Sequence, residues 1–592
     1  MVIPKAHDYE IMKNLLTTFW SWFTRLKTAY LNLKKINFSL LRKVFSLMGK
    51  TEKILLTGLL VISLISLVWS IKNSYQAITT PAPGFGGNLT EGFLGQPVYL
   101  NPILAFSNID TSLNNLIYSG LYTYDSQGNL QPDLADGLPE ISEDQKQYTI
   151  KLKPNVEWHN GKKLSADDII FTVSSLKNSE IKSPLRASWN STAIEKLNET
   201  TIKFITKEIS GPFIHNLTVP ILPQNLWKKV PANAFAISEF NLKPIGTGPY
   251  RLQEIKKLPN GKIQAITLTA FTKYHGGKPK IETFTAKFYD TETDIENALK
   301  SEQVQTFGYM PFENNSNFDF TKDNYSTLDL PTPQFQVLFF NFKNPILAER
   351  KVRLALAELT PKTSIINNAW QHHANLAQSF LDFYTNQKPD APHNNLEQAN
   401  SWLQSAGYNK DSTTGQWIKN QKNLEFKLYT NDFDPNKKTG ELIAAAYTNF
   451  GIKTTLNVLP SKQLTEEIIK NRAFDFLVYG QKFGSDPDPF AFLHSSQKNS
   501  PGLNLSGFDN SESDKLLTTA HASTNQIFRM EKYTLFNQLI QEQMPIIFLT
   551  QANYRYLIKD NIKGVSITKL FDASARFWDT QNWYINETRV LK

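Results

Sequence analysis

The sequence predicts an α/β fold of more than one domain behind a single apolar helix, and three observations carry that prediction. A chain of 592 residues is too long for one hydrophobic core. Strand-like and helix-like segments alternate between residues 424 and 480, the pattern of a mostly parallel, doubly wound sheet. Residues Ile54 to Ile71 (ILLTGLLVISLISLVWSI) carry no charge at all. At 41% hydrophobic and 12% aromatic, the composition is that of a folded protein, neither disordered nor fibrous.

The apolar stretch rises about 27 Å as a helix, close to the least that crosses a bilayer. Trp69 and Tyr75 are placed for the far interface; Lys50 and Lys53 precede the stretch and Lys72 alone follows closely. Positive-inside reasoning puts the N-terminus in the cytoplasm and the chain beyond residue 72 outside. An uncleaved signal anchor over 54–71 is the expectation. The competing reading is a cleaved signal peptide; the 53-residue lead-in and the lack of a small-residue cleavage site after Ile71 speak against it.

The lead-in, residues 1–53, is basic. It holds 10 of the 63 Lys/Arg and 3 of the 54 Asp/Glu, which leaves 53 against 51 in the rest. Most of the net charge of +9 therefore belongs to this arm, +7 against +2 in the rest, and a basic groove for nucleic acid is unsupported. Leu15, Leu16, Phe19, Trp20, Phe23, Leu26 and Tyr30 recur at helical spacing, and Phe38, Leu41, Val44, Phe45 and Met48 repeat the arrangement. Such segments suit either basic amphipathic helices on the inner leaflet or a hairpin packed on itself or on a partner. There is no cysteine, so disulfides, thiolate metal sites, a cysteine nucleophile and a lipid-modified cysteine anchor are all excluded. Residues 72–87, with Pro81, Pro83, Gly84, Gly86 and Gly87, read as a linker.

In the body, Tyr148, Ile150 and Leu152 alternate with polar residues as a half-buried strand. Ser165, with Asp168 three residues on, opens a helix through Ile169, Ile170, Val173 and Leu176. Leu424, Phe426 and Leu428 form a strand, Glu441–Phe450 a helix ended near Gly451, and Thr455–Leu459 a second strand. Ser461–Lys470 reads as a helix capped by Ser461, and Asp475–Tyr479 as a third strand. Ligands of such sheets bind beyond the carboxyl ends of the strands, which singles out the loop 480–490.

Several segments together resemble the bacterial extracellular solute-binding proteins of family 5, the dipeptide- and oligopeptide-binding proteins of ABC importers. The segments are Asn115–Asp125, Pro132–Ala135, Val156–Gly161 (VEWHNG) with Leu164–Thr172, Gly246–Tyr250 (GTGPY), Lys351–Ala357, Asp486-Pro487-Asp488 and Met544–Leu549. They occur in the family's order from about residue 88 to about 560. The resemblance implies a two-lobed, periplasmic-binding-protein-like fold of type II with the extra domain of peptide-binding members. Lobe one would take 88–335 with that inserted domain, lobe two 336–543, and 544–592 would return to lobe one. Gly161 and Gly246 suit tight turns, Asp167 and Asp168 a first helical turn, and Trp158 and His159 packing or capping.

In members that bind free peptides, an acid three residues before the Asp-Pro pair commonly meets the ligand ammonium; here that position is Phe483. Phe483→Asp is expected to restore it, and Asp486 either replaces it or shapes the turn. The resemblance also places Gly92, Phe93 and Leu94 along the cleft, where backbone groups would pair with an extended peptide. It puts Trp370 and His372 near the hinge, while the strand pattern places Tyr479 at the carboxyl end of the third strand and Gly480 and Gln481 at the start of the loop. No metal site or cofactor is expected; adjacent His372 and His373 cannot easily face one ion. Gly-x-Ser-x-Gly, His-Glu-x-x-His and phosphate-loop motifs are missing, so no enzyme is expected. The expected function is capture of peptides and delivery to the permease of an ABC transporter. The alternatives are a sensing or docking module for a membrane partner, or an oligosaccharide in the same cleft.

Overall fold

The computed structural model describes residues 38–309, 324–385, 389–390 and 394–592. The first amphipathic segment of the arm, Leu15 to Tyr30, lies outside them. The second forms helix α1 (Phe38–Leu47). Helix α2 (Lys50–Ile78) has 29 residues, none of them buried, and its most apolar window has a mean hydropathy of 2.5. Among the described residues it is the one helix long and apolar enough to cross a membrane, judged by length and composition. The carboxylate of Glu52 accepts from the Gly49 amide (2.8 Å) at its start. It runs through Lys72–Ile78, expected as linker, and stops where strand β1 (Thr79–Pro83) begins. Pro81 and Pro83 cannot continue a helix.

Two compact units are present, one of Met1–Ala82 with Thr588–Lys592 and one of Pro83–Glu587. The larger opens with strand β2 (Asn88–Leu94) and helix α3 (Asn108–Ile117), capped by the Ser107 side chain. Strand β3 (Gln147–Lys151) buries Tyr148 and Ile150 and turns Lys151 outward, within a four-stranded antiparallel sheet. Helix α4 (Ala166–Lys177) is opened as expected: the Ser165 amide donates to Asp168 Oδ2 (3.0 Å). Strands β4 (Tyr250–Lys257), β5 (Ile263–Ala270), β6 (Thr283–Tyr289), β7 (Thr306–Tyr309) and the long β8 (Tyr325–Phe340) follow.

The alternating run is realised nearly as read. It consists of β9 (Glu425–Asn431), α5 (Asp434–Phe450), β10 (Lys453–Leu459), a helical stretch over Ser461–Ile469, and β11 (Phe476–Lys482). Strands β10 and β11 flank β9 in parallel register, so that Leu428 faces Leu456 on one side and Phe476 on the other. Helix α5 starts earlier than expected because Pro435 sits in its first turn, and it ends at Gly451, whose φ of 101° suits a residue without a Cβ. The Ser461 hydroxyl does not cap its helix and instead accepts from Asn431 Nδ2 (3.1 Å). Helix α6 (Gln526–Gln543) then leads to the long strand β12 (Ile546–Lys559).

All these strands except β1 and β3 lie in one eleven-stranded sheet, in the order β10-β9-β11-β8-β12-β7-β2-β6-β5-β4, with Ala374–Leu376 added beside β12. Strands β8 and β12 pair antiparallel along most of their length, with register shifts near Pro331–Phe335 and Gln336–Val337. On one side of these shifts the core gathers Leu89, Tyr148, Trp158, Tyr250 and Phe284. On the other, the two sheet faces bury separate clusters, Leu338, Phe340, Leu428 and Phe476 on one and Phe335, Val337, Leu477 and Phe536 on the other. Each half thus has its own apolar core, and β8 and β12 are the crossover strands between two lobes. In the smaller unit, a last strand β13 (Glu587–Leu591) pairs with β1. Arg589 donates to the Thr79 hydroxyl (2.8 Å) and to the carbonyls of Thr79 (2.9 Å) and Gln76 (3.3 Å), covering the end of α2.

Candidate functional site

Where the lobes meet, a cavity of about 400 Å³ opens. Helix α3 gives it one face through Thr111, Asn114, Asn115 and Tyr118, spaced as one side of a helix. The segment from Phe571 to Gln581 gives an aromatic and polar wall, and Lys482, Phe483, Gly484 and Ser485 close it from lobe two, beyond the carboxyl end of β11. Tyr124, Phe571 and Trp578 form a cluster with ring centroids 4.7–5.8 Å apart. Several polar groups of the same walls have partners within the protein. Asn115 donates to the Ser574 hydroxyl (2.9 Å), His275 Nε2 lies 2.5 Å from Asp133 Oδ1, and Asp572 Oδ1 accepts from the Ser574 amide (2.7 Å).

Two of the sequence motifs position these walls. The Gly246–Tyr250 turn lies on the last carbonyls of α3, where a Cβ on Gly246 would come within 1.8 Å of the Ile117 oxygen. His159 locks that turn: its Nδ1 accepts from the Gly246 amide (3.2 Å) and its Nε2 therefore carries the proton that meets the Gly248 carbonyl (3.0 Å). Burial, with Arg251 adding to it and the Gly248 bond opposing it, pushes the imidazole down to about 4, so it is neutral. On the other side of α3, Glu91 and Arg576 form a fully buried ion pair (3.0 Å), with Tyr556 donating to Glu91 (2.9 Å) and Arg576 reaching the Ser112 hydroxyl (3.0 Å). That pair ties the Phe571–Gln581 segment to β2 and α3.

A second buried network joins Tyr124 of the cavity wall to lobe two. Asp486 takes a two-pronged bond from Arg529 (2.6 Å each) and faces His215 Nε2 at 3.1 Å, while His215 Nδ1 bonds the Tyr124 hydroxyl (2.7 Å). Burial alone would raise the Asp486 carboxyl, but the His215 and Arg529 hydrogen bonds and charges hold it down to about 2.

Comparison with known proteins bears directly on this arrangement. The family model for bacterial extracellular solute-binding proteins, family 5 Middle, matches residues 129–504. The chain belongs to this family. The oligopeptide-binding protein AppA of Bacillus subtilis is 27% identical over 557 residues, which cover 90% of this chain and 99% of AppA. The structure of AppA in complex with a nonapeptide superimposes with a TM-score of 0.61 at 25% identity, covering 85% of this chain and all of AppA. NikZ from Campylobacter jejuni, solved with Ni(L-His), gives a TM-score of 0.63 at 25% identity, over 84% and 99% of the two chains. The family's members are solute-binding proteins of ABC importers and not enzymes.

Of the residues expected to line the family 5 cleft, the structure brings only Phe483 to this cavity. Its ring is 1% exposed, stacked on Phe380 (5.5 Å) and edge-on to Phe335 and Phe492, so it faces the core of lobe two. Aspartate at 483 would bury a carboxylate among these rings, and the expectation that it restores an ammonium partner gives way to one of destabilisation. Asp486 is engaged by Arg529 and His215. Gly92, Phe93 and Leu94 lie in an inner strand: β6 pairs with all three and β7 with Gly92. The Gly92 backbone therefore has no free edge for an added peptide strand, contrary to expectation, and Phe93 stacks on Phe288. Gly480 and Gln481 are not loop but continue β11 beyond Tyr479, because Gln336 and Phe335 extend the ladder beside them. Trp370 is buried and donates to Gln336 Oε1 (3.2 Å), and His372 sits in an exposed turn at a φ of 67°. Neither lines the cavity. Asn114, Tyr124, Asp133, Asp572 and Trp578 do so, and were missed. The helical spacing of Thr111, Asn114 and Tyr118 was a usable signal; the Phe571–Gln581 segment carried none.

Proposed function

We propose that the chain captures short peptides in the interlobe cavity and presents them to the permease of an ABC importer, while α2 holds it at the outer face of the cell membrane. The observation that carries the reading is the cavity itself. It is built from both lobes and combines an aromatic cluster with amide, hydroxyl and charged groups, the mixture that fixes a polar ligand while burying its apolar parts. The names of AppA and of its nonapeptide complex support peptide as the solute. Anchoring is supported by the length and apolar composition of α2, none of whose 29 residues is buried. Native mass spectrometry of the full chain, extracted in mild detergent without refolding, tests both points. A series of bound masses matching mixed peptides on an uncleaved chain is the expected result. A single sugar-like mass, which the aromatic cluster would also suit, would redirect the chemistry to an oligosaccharide. A chain shortened at its N-terminus would remove the anchor.

A further inference from the structure

Asn114 is 2% exposed and lines the cavity, yet neither its Oδ1 nor its Nδ2 has a hydrogen-bond partner among the described residues. A buried amide left without partners carries its full desolvation penalty, and folded chains keep few of them. Other polar groups of the cavity wall have protein partners: Asn115 bonds Ser574 and Asp133 bonds His275. Of the residues that line the cavity, Asn114 alone among those described buries side-chain polar atoms that have no hydrogen-bond partner, and it is held by the last turn of α3 and braced by the His159–Gly246 lock.

Resting on the peptide-binding reading above, we propose that Asn114 binds an interior peptide unit of the ligand, and that the site does not require a free amino terminus. Its Nδ2–H donates to a ligand carbonyl while Oδ1 accepts from a ligand N–H. The pairing matches an amide on both atoms, whereas an ammonium engages only the acceptor and a carboxylate only the donor. Phe483 agrees with this, since the place where an acid would meet an ammonium holds a ring turned into the core.

The test uses the full chain in detergent and a casein digest as probe, offered before and after acetylation of its amines. The wild-type chain is expected to retain peptides equally well from both. Asn114→Leu and Asn114→Ala, the second too small to obstruct the cavity, are expected to bind about tenfold less or weaker. The Tm of Asn114→Leu is expected not to fall, because the change removes two unpaired polar groups from the interior. Unchanged binding by both variants overturns the inference and leaves the peptide-binding reading standing, with solvent as the partner of Asn114. Loss of wild-type binding on acetylation overturns it as well, without needing any variant to fold. A wild-type chain that retains no peptide overturns both the inference and the reading beneath it.

Discussion

His159, Asp486 and Phe483 show how burial decides the behaviour of single residues here. His159 is neutral in the fold with its pKa held near 4, against about 6.5 in an unfolded chain. Between those values the unfolded chain takes up a proton that the fold refuses. The contribution is therefore complete above about pH 6.5 and is lost as the pH falls toward 4, on the order of 3 kcal/mol. Urea midpoints measured from pH 7.5 down to 4.5 should fall accordingly, and His159→Gln should flatten that slope while lowering the whole curve. Arg529→Met leaves Asp486 buried without its main partner, and a loss of about 3–5 kcal/mol is expected in the same assay. Phe483→Asp should cost a comparable amount by putting a carboxylate among Phe335, Phe380 and Phe492, and no gain in affinity for peptides with free amines should accompany it.

At the level of elements, the GTGPY turn and helix α3 act as one part. Gly246 touches the Ile117 carbonyl so closely that any side chain must displace the helix end. Gly246→Ala is expected to destabilise the chain by more than about 3 kcal/mol, and, where it still folds, to weaken ligand binding because Asn114 and Asn115 move with α3. Calorimetric unfolding together with ligand titration separates the two effects. At the other end of the chain, β13 and Arg589 cover the last carbonyls of α2, a favourable place for a cation near a helix C-terminus. Arg589→Ala should leave global stability within about 1 kcal/mol yet raise proteolysis after Ile78, readable as a shortened product on a gel.

On the scale of the whole molecule, two separately packed lobes joined by β8 and β12 make closure a matter of differential binding. A ligand that touches Asn114 in lobe one and the 482–485 segment in lobe two holds both only when the lobes are together. At a hundredfold excess over its Kd, such a ligand adds about 2.7 kcal/mol to the unfolding free energy. A raised Tm with a smaller radius in X-ray scattering is the expected pair of outcomes, and a raised Tm alone would place closure outside the mechanism.

Local chemistry was enough to write much of this protein from its sequence. The uncharged Ile54–Ile71 stretch, the Ser165–Asp168 helix start, the stop at Gly451 and the parallel β9–β10–β11 run all depend on neighbours within a few residues, and periodicity reports them directly. The VEWHNG and GTGPY segments marked the fold, and their structural reading held because His159 and Gly246 bond each other. The site was decided elsewhere. Whether Phe483 faces ligand or core depends on Phe380, about a hundred residues away, and Asp486 is unavailable because Arg529 and His215 reach it from different lobes. The cavity wall comes from residues 571–581 and the buried, unpartnered amide from Asn114, segments with no shared local pattern. A hydrogen bond is satisfied or left open only by what the fold brings near it, so the tertiary structure alone could separate polar groups that have partners from the Asn114 amide, which has none among the described residues.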